Sequence, residues 1–131
     1  AYATKHLKAN RIIDFATLTG AIEVALGHEA AGLFSNNDAL ADSLIRAGSE
    51  THERVWRLPL YEEYRDQLKS EIADIKNIGG RPAGSITAAM FLQEFVGKTP
   101  WAHVDIAATS FAVDGRRYHP KGAFGTGVRL M

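Results

Sequence analysis

The chain has no cysteine among its 131 residues, so it can build neither a disulfide framework nor a thiolate metal site, and its composition suits a reducing compartment. It also lacks net charge. Fifteen Lys and Arg balance fifteen Asp and Glu, and no block of like charge occurs. That balance argues against partners held by a strong field, nucleic acid and anionic lipid surfaces among them. No apolar run approaches the roughly twenty residues that a membrane-spanning helix needs. The five histidines, at positions 6, 28, 52, 103 and 119, lack the paired helical spacing of zinc peptidases, and no nucleophile elbow is present. The opening segment has no charged-then-apolar signal architecture, so no targeting peptide is expected. A start at Ala1, without methionine and entering a helix that has no cap, reads as a beginning inside a longer protein.

What is present suits one soluble globular domain or a piece of one, with 46% hydrophobic and 23% charged residues. Residues 1–9 read as the tail of a helix stopping near Asn10. Arg11 to Phe15 reads as a strand too apolar on both faces to be an edge facing water. Ala21 to Leu26 gives helical turns closed by Gly27, and Ala30 to Phe34 is a short apolar run. Asn36, Asn37 or Asp38 caps a helix carrying Leu40, Leu44, Ile45 and Ala47, which ends near Gly48. An amphipathic segment follows from Tyr61 to Lys69, and a second stretch, Ile72 to Ile78, runs into Gly79-Gly80. Ala83 to Val96 has the clearest helical stripe (Ile86, Met90, Phe91 and Phe95), ended by Gly97, and Ala102 to Ala107 is the last clear strand. Strands alternating with helices, with no tight hairpin signal, read as part of an α/β sandwich.

Taken singly, the polar residues have ordinary explanations. Asp14 reads as a hydrogen-bonded strand residue, His28-Glu29 as a solvated pair in a loop, and Trp56 and Trp101 as core or interface anchors. Gly122, Gly125 and Gly127 lack the lysine and hydroxyl of a phosphate loop, and close helix packing explains them better. Thr17 and Thr19 alone would be turn-forming threonines. The sharper signal is the break from strand to loop at Thr17-Leu18-Thr19-Gly20, since ligands of open α/β sheets bind where strands end.

Four ordered blocks carry a resemblance. They are Ile13-Asp14-Phe15-Ala16-Thr17-Leu18-Thr19-Gly20-Ala21, Ala73-Asp74-Ile75-Lys76-Asn77-Ile78-Gly79, Ala83-Gly84-Ser85-Ile86-Thr87-Ala88-Ala89 and Trp101-Ala102-His103-Val104-Asp105-Ile106-Ala107. In this order they resemble the C-terminal catalytic domain of the leucyl (cytosol) aminopeptidases, the M17 metallopeptidase family. The closing Lys121 to Arg129 is similar to the family's glycine-rich entry to its last helix. The resemblance implies that residues 1–131 are a C-terminal portion of a three-layer αβα sandwich with a mixed sheet.

The resemblance also implies an activity, removal of N-terminal residues from peptides by two divalent metal ions, manganese or zinc. In the family these are held by a lysine, three aspartates and a glutamate, several of them in an Asn-Thr-Asp-Ala-Glu-Gly-Arg motif that is absent here. No catalytic residue and no metal ligand are therefore expected in this chain, which alone should be inactive. The matched positions instead bind substrate. Leu18 offers its carbonyl and Gly20 its amide to the peptide backbone, beside Thr19. Thr17 and Gly20 wall the pocket for the N-terminal side chain with Ala107 and Ser110, and Ile78 faces the residue after the scissile bond. Two departures bear on substrate preference: the family's Asp-Ile-Ala-Gly is Asp105-Ile106-Ala107-Ala108 here, and Ser110 stands where a larger apolar residue is common. The implied partners are a peptide substrate, the upstream half of the same protein and further copies in a homo-hexamer, in the cytoplasm. Two alternatives stay open from the sequence: a non-catalytic interaction module of an oligomer, and a nucleotide-binding module using the C-terminal glycines.

Overall fold

The computed structural model describes residues 1–115 and 119–131. Its elements in chain order are α1 (Tyr2–Lys5), β1 (Ile12–Ala16), α2 (Gly20–Leu26), β2 (Ala31–Ser35), α3 (Asp38–Thr51), β3 (Val55–Arg57), a 3-10 helix (Glu62–Leu68), α4 (Gly84–Gln93), β4 (Trp101–Asp105), β5 (Phe111–Ala112) and β6 (Gly122–Ala123). The main sheet has the order β1-β4-β2-β3. β1 runs parallel to β4, β2 antiparallel to β4, and β3 parallel to β2, so the sheet is mixed.

Alternation along the strands divides the core in two. On one face Trp101 of β4, Phe34 of β2 and Ile12 of β1 meet Ile22 of α2, Leu68 of the 3-10 helix, and Ile86, Ala89 and Met90 of α4. On the other face Ala102, Val104, Ala31 and Leu33 meet Leu40, Ala41 and Leu44 of α3, with Leu130 from the C-terminal turn. Helices thus cover both faces of a central mixed sheet, which is a three-layer αβα arrangement. β2 and β4, enclosed on all sides, are buried at every residue, as their unbroken apolar runs require.

Local chemistry explains most of the boundaries. Asn37 caps α3, its Oδ1 accepting from the Leu40 amide at 2.9 Å. The expected stop at Gly48 is not a stop, because α3 continues to Thr51 and His52 takes the left-handed cap at φ 61. Gly48 serves packing instead: a Cβ there would lie 2.6 Å from the Glu53 carbonyl oxygen. α4 occupies the interior of the expected Ala83 to Val96 span, so Phe95 falls past its last turn and is exposed. Within the expected Tyr61 to Lys69 segment, Glu62–Leu68 coils more tightly than an α-helix, and the two end residues are extended.

Other expectations need correction. The helix expected over residues 1–9 is one turn long. β1 was expected away from an edge, but among the described residues it pairs only with β4, and it is half-buried along its whole length. Trp101 is a core anchor, whereas Trp56 is 66% exposed. The C-terminal glycines do not pack helix on helix: Gly127 has φ +96 and sits against the ring of Phe15 on β1, so a Cβ would come within 2.7 Å of that ring. The antiparallel pair β5 and β6 had no signal in the sequence.

Candidate functional site

Parallel pairing puts the C-terminal ends of β1 and β4 side by side. Ala16 stands opposite Asp105, and the Ile106 amide donates to the Ala16 carbonyl at 2.9 Å, extending the ladder one step past the strands. The loops Thr17 to Gly20 and Ala107 to Ser110 therefore leave the sheet at the same edge. That brings together six of the seven positions expected to hold substrate: Thr17, Leu18, Thr19, Gly20, Ala107 and Ser110.

Asp105 holds the two loops in one arrangement. It is fully buried at the end of β4. Its Oδ1 accepts from the amides of Leu18 (3.1 Å), Thr19 (3.4 Å) and Ala107 (3.2 Å), and its Oδ2 accepts from the Thr19 hydroxyl at 2.6 Å. A carboxylate can only accept, so it takes the one hydroxyl proton of Thr19. The 3.1 Å contact between Thr19 Oγ1 and Ser85 Oγ then has the serine donating, and the Ile22 amide donates to Thr19 Oγ1 at 3.3 Å. Thr19 is thereby the cap of α2 and the link to α4, with its hydroxyl fully engaged.

The inward-facing groups of the loop are thus used, and its outer groups are not. Thr17, Leu18 and Gly20 are exposed. Among the described residues no hydrogen bond reaches the Leu18 carbonyl or leaves the Gly20 amide. A Cβ built on Gly20 meets nothing within 4 Å, so the space on the side-chain side of this residue is open. The loop after β4 is fixed from behind by a turn, with the Thr109 and Ser110 amides donating to the Ile106 carbonyl at 3.0 and 2.9 Å. The Thr126 hydroxyl donates to the Thr109 carbonyl at 2.7 Å, and His28 Nδ1 lies 2.7 Å from the Ala108 carbonyl. Because a carbonyl only accepts, that nitrogen carries the proton. His28 is therefore a brace for this wall, with Glu23 at 3.4 Å beyond it, while it and Glu29 are both exposed in the loop, as expected of a solvated pair.

Ile78, the seventh position, is 75% exposed on the irregular segment between the 3-10 helix and α4. It connects with the rest indirectly. A Cβ on Gly79 would lie 2.7 Å from the Thr87 hydroxyl of α4, the helix whose Ser85 touches Thr19. The Lys76 amide, donating to the Leu68 carbonyl at 2.8 Å, and the Gly80 amide, donating to Gln67 Oε1 at 2.9 Å, tie the segment to the 3-10 helix.

Farther along the same strands, Asp14 bonds as expected for a strand carboxylate. Its Oδ2 accepts from Trp101 Nε1 and its Oδ1 from His103 Nδ1, each at 2.6 Å. Among the described residues no three His, Asp or Glu side chains converge in a way that could hold a metal ion, so the donor set for two divalent ions is not found in them. No helix among them is long and apolar enough to cross a membrane. Two shallow surface hollows, one along Arg57 to Tyr61 with Ser35 and one around Arg65, Ile75 and Phe95, include none of the loop positions.

Reasoning from sequence gave no role to Asp105 or Ser85. A usable signal existed in Trp101-Ala102-His103-Val104-Asp105: an aspartate closing a fully buried strand needs several donors, and the amides of adjacent strand-end loops are the nearest supply.

The sequence profile of the cytosol aminopeptidase family, catalytic domain, matches residues 1–131. A "probable cytosol aminopeptidase" of Protochlamydia amoebophila is 59% identical over 100% of this chain and 26% of its own length. Another so named, from Syntrophotalea carbinolica, is 60% identical over 92% of the chain and 24% of its own length. Among solved structures, a mutant of tomato leucine aminopeptidase superposes with a TM-score of 0.89 at 41% identity, covering 98% of this chain and 25% of that one. The chain spans about a quarter of the length of the relatives it matches. With the sequence profile matched from end to end and the fold shared at this level, the chain belongs to the cytosol aminopeptidase family, within its catalytic domain.

Proposed function

We propose that this chain is the substrate-binding C-terminal portion of a two-metal aminopeptidase that removes N-terminal residues, leucine-like ones among them, from peptides. The observation that carries this reading is the shared strand-end edge, where Thr17 to Gly20 and Ala107 to Ser110 face one space with the Leu18 carbonyl and Gly20 amide unengaged. One acceptor and one donor about two residues apart suit an extended peptide backbone, which they can hold whatever its side chains. Thr17, Gly20, Ala107 and Ser110 are small, leaving room beside that backbone for a bulky first side chain. Ile78 lies on the segment that would meet the next residue.

Cleavage belongs to the longer protein. Its two divalent ions, manganese or zinc, would be held by residues outside this chain, so no chemical step is assigned to the residues described here. Asp105 is buried and committed to the loop amides. The half-buried, two-faced apolar strand β1 fits a strand that the upstream part of the protein pairs with, and assembly as a homo-hexamer in the cytoplasm follows from the family reading. The test is hydrolysis of a leucyl amide. The complete enzyme should release leucine in manganese or zinc buffer and the 131-residue chain should not. Activity of the chain alone, lost on chelation, would contradict the division of labour, and an inert complete enzyme would remove the functional reading.

A further inference from the structure

We infer that Asp105 is a positioning residue for peptide binding, setting the substrate-facing conformation of both loops through one carboxylate; this inference rests on the functional reading above. Asp105 has no solvent contact and, among the described residues, is held by amides and a hydroxyl with no cation bonded to it. Buried carboxylates are expensive unless hydrogen-bonded, and bonds to an ionised acceptor are about twice as strong as neutral ones. Four such bonds in one place give a steep energy well, and every donor belongs to a loop proposed to touch substrate.

The geometry then fixes which groups face outward. Turning the Leu18 and Thr19 amides inward to Oδ1 places the intervening peptide group under constraint from both sides. What remains for a ligand is the Leu18 carbonyl and, one residue beyond Thr19, the Gly20 amide. The Ala107 amide, bonded to the same oxygen, ties the facing wall to the same reference point, while Thr126 and His28 brace that wall from behind. The Thr19 hydroxyl carries the constraint on to α4 through Ser85 and to α2 through the Ile22 amide. Asp105 reaches no substrate atom in this arrangement and acts only through these groups.

Asp105→Asn is the discriminating change. It keeps the volume but replaces one acceptor oxygen with a donor, which must oppose either the loop amides or the Thr19 proton. In the complete enzyme the KM for a leucyl amide should rise about tenfold or more while kcat moves less than about threefold, since a rail grips ground and transition states alike. Metal content should equal that of the wild type, and the loss should persist at temperatures well below the unfolding midpoint. An unchanged KM in a folded, metal-loaded Asp105→Asn enzyme overturns the inference, as does a loss that only tracks unfolding or metal depletion. Should that variant fail to fold, Thr19→Val is read the same way: it removes the bond to Oδ2 and leaves all three amide bonds, and an unchanged KM again overturns the inference. An inactive wild type would instead defeat the functional reading on which the inference rests.

Discussion

Replacing Gly20 by proline should move stability and substrate binding in opposite directions. Gly20 is the first residue of α2, a position where proline is favoured because that amide has no partner inside the helix. Thr19 before it is already extended, at φ −134 and ψ 136, as the residue preceding a proline should be. Gly20 is not among the residues with positive φ, and a Cβ there meets nothing within 4 Å. The folded state therefore accepts the ring, and the stiffer unfolded chain should add about 0.4–1 kcal/mol of stability. The variant nevertheless lacks the one donor assigned to the substrate backbone. Leaving a substrate carbonyl unpaired at the edge costs about 1–3 kcal/mol, or roughly fivefold to a hundredfold in KM, with kcat changed far less. Urea unfolding and steady-state hydrolysis of a leucyl amide by the complete enzyme measure both quantities. A Gly20→Pro enzyme of undiminished stability and unchanged KM would refute the role of this amide.

Two further substitutions test the frame behind the loop. Asp14→Ala strips partners from the indole of Trp101 and Nδ1 of His103, both buried; at about 1–3 kcal/mol for each orphaned group, and with water able to enter beside the 37% exposed Asp14 side chain, the cost should be about 2–4 kcal/mol. Asp14→Asn should cost less, because His103 can shift its proton to Nε2, which has no partner among the described residues, and accept through Nδ1; an asparagine variant less stable than the alanine one in urea unfolding would contradict this. Gly127→Ala combines φ +96 with a Cβ 2.7 Å from the Phe15 ring and should lose about 2 kcal/mol or more by the same assay, against which wild-type stability would count.

The sequence was most legible where one periodicity had one cause. Ile12 to Ala16 and Trp101 to Asp105 are apolar runs bounded by polar loops, and both are strands within one or two residues of the expected bounds. Ile86 and Met90 sit on the buried face of α4 as their spacing requires, and Asn37 caps α3 through the bond its side chain suggests. Glycine was harder to read, because it has two uses. Gly27 is the positive-φ stop of α2, whereas Gly97 lies beyond the end of α4 at Gln93 and does not end it, and Gly48 lies inside α3 for want of room beside Glu53; no local pattern separates these cases. Phe95 continued the stripe on paper, but the helix had already ended.

The candidate site was legible only in part for a related reason. Thr17 to Gly20 announces a strand end, yet its partner wall lies about ninety residues later and is joined to it by parallel pairing of β1 with β4, a nonlocal fact. Asp105 is the clearest example: in sequence it is one acid among fifteen acidic residues, and its meaning comes from donors at Leu18 and Thr19. Ile78 remains the least connected position, since its segment is tied to α4 through Gly79 and not to the loop itself.

The most direct measurement of the central claim is a crystal structure of the complete enzyme with a leucyl peptide analogue whose scissile bond cannot be cut. The account predicts the analogue's backbone along Thr17 to Gly20, its main-chain N–H within about 3 Å of the Leu18 carbonyl and its carbonyl equally close to the Gly20 amide, with the first side chain between Thr17 and Ala107. An analogue bound productively at the metal centre but without either contact, its backbone held elsewhere, would contradict it.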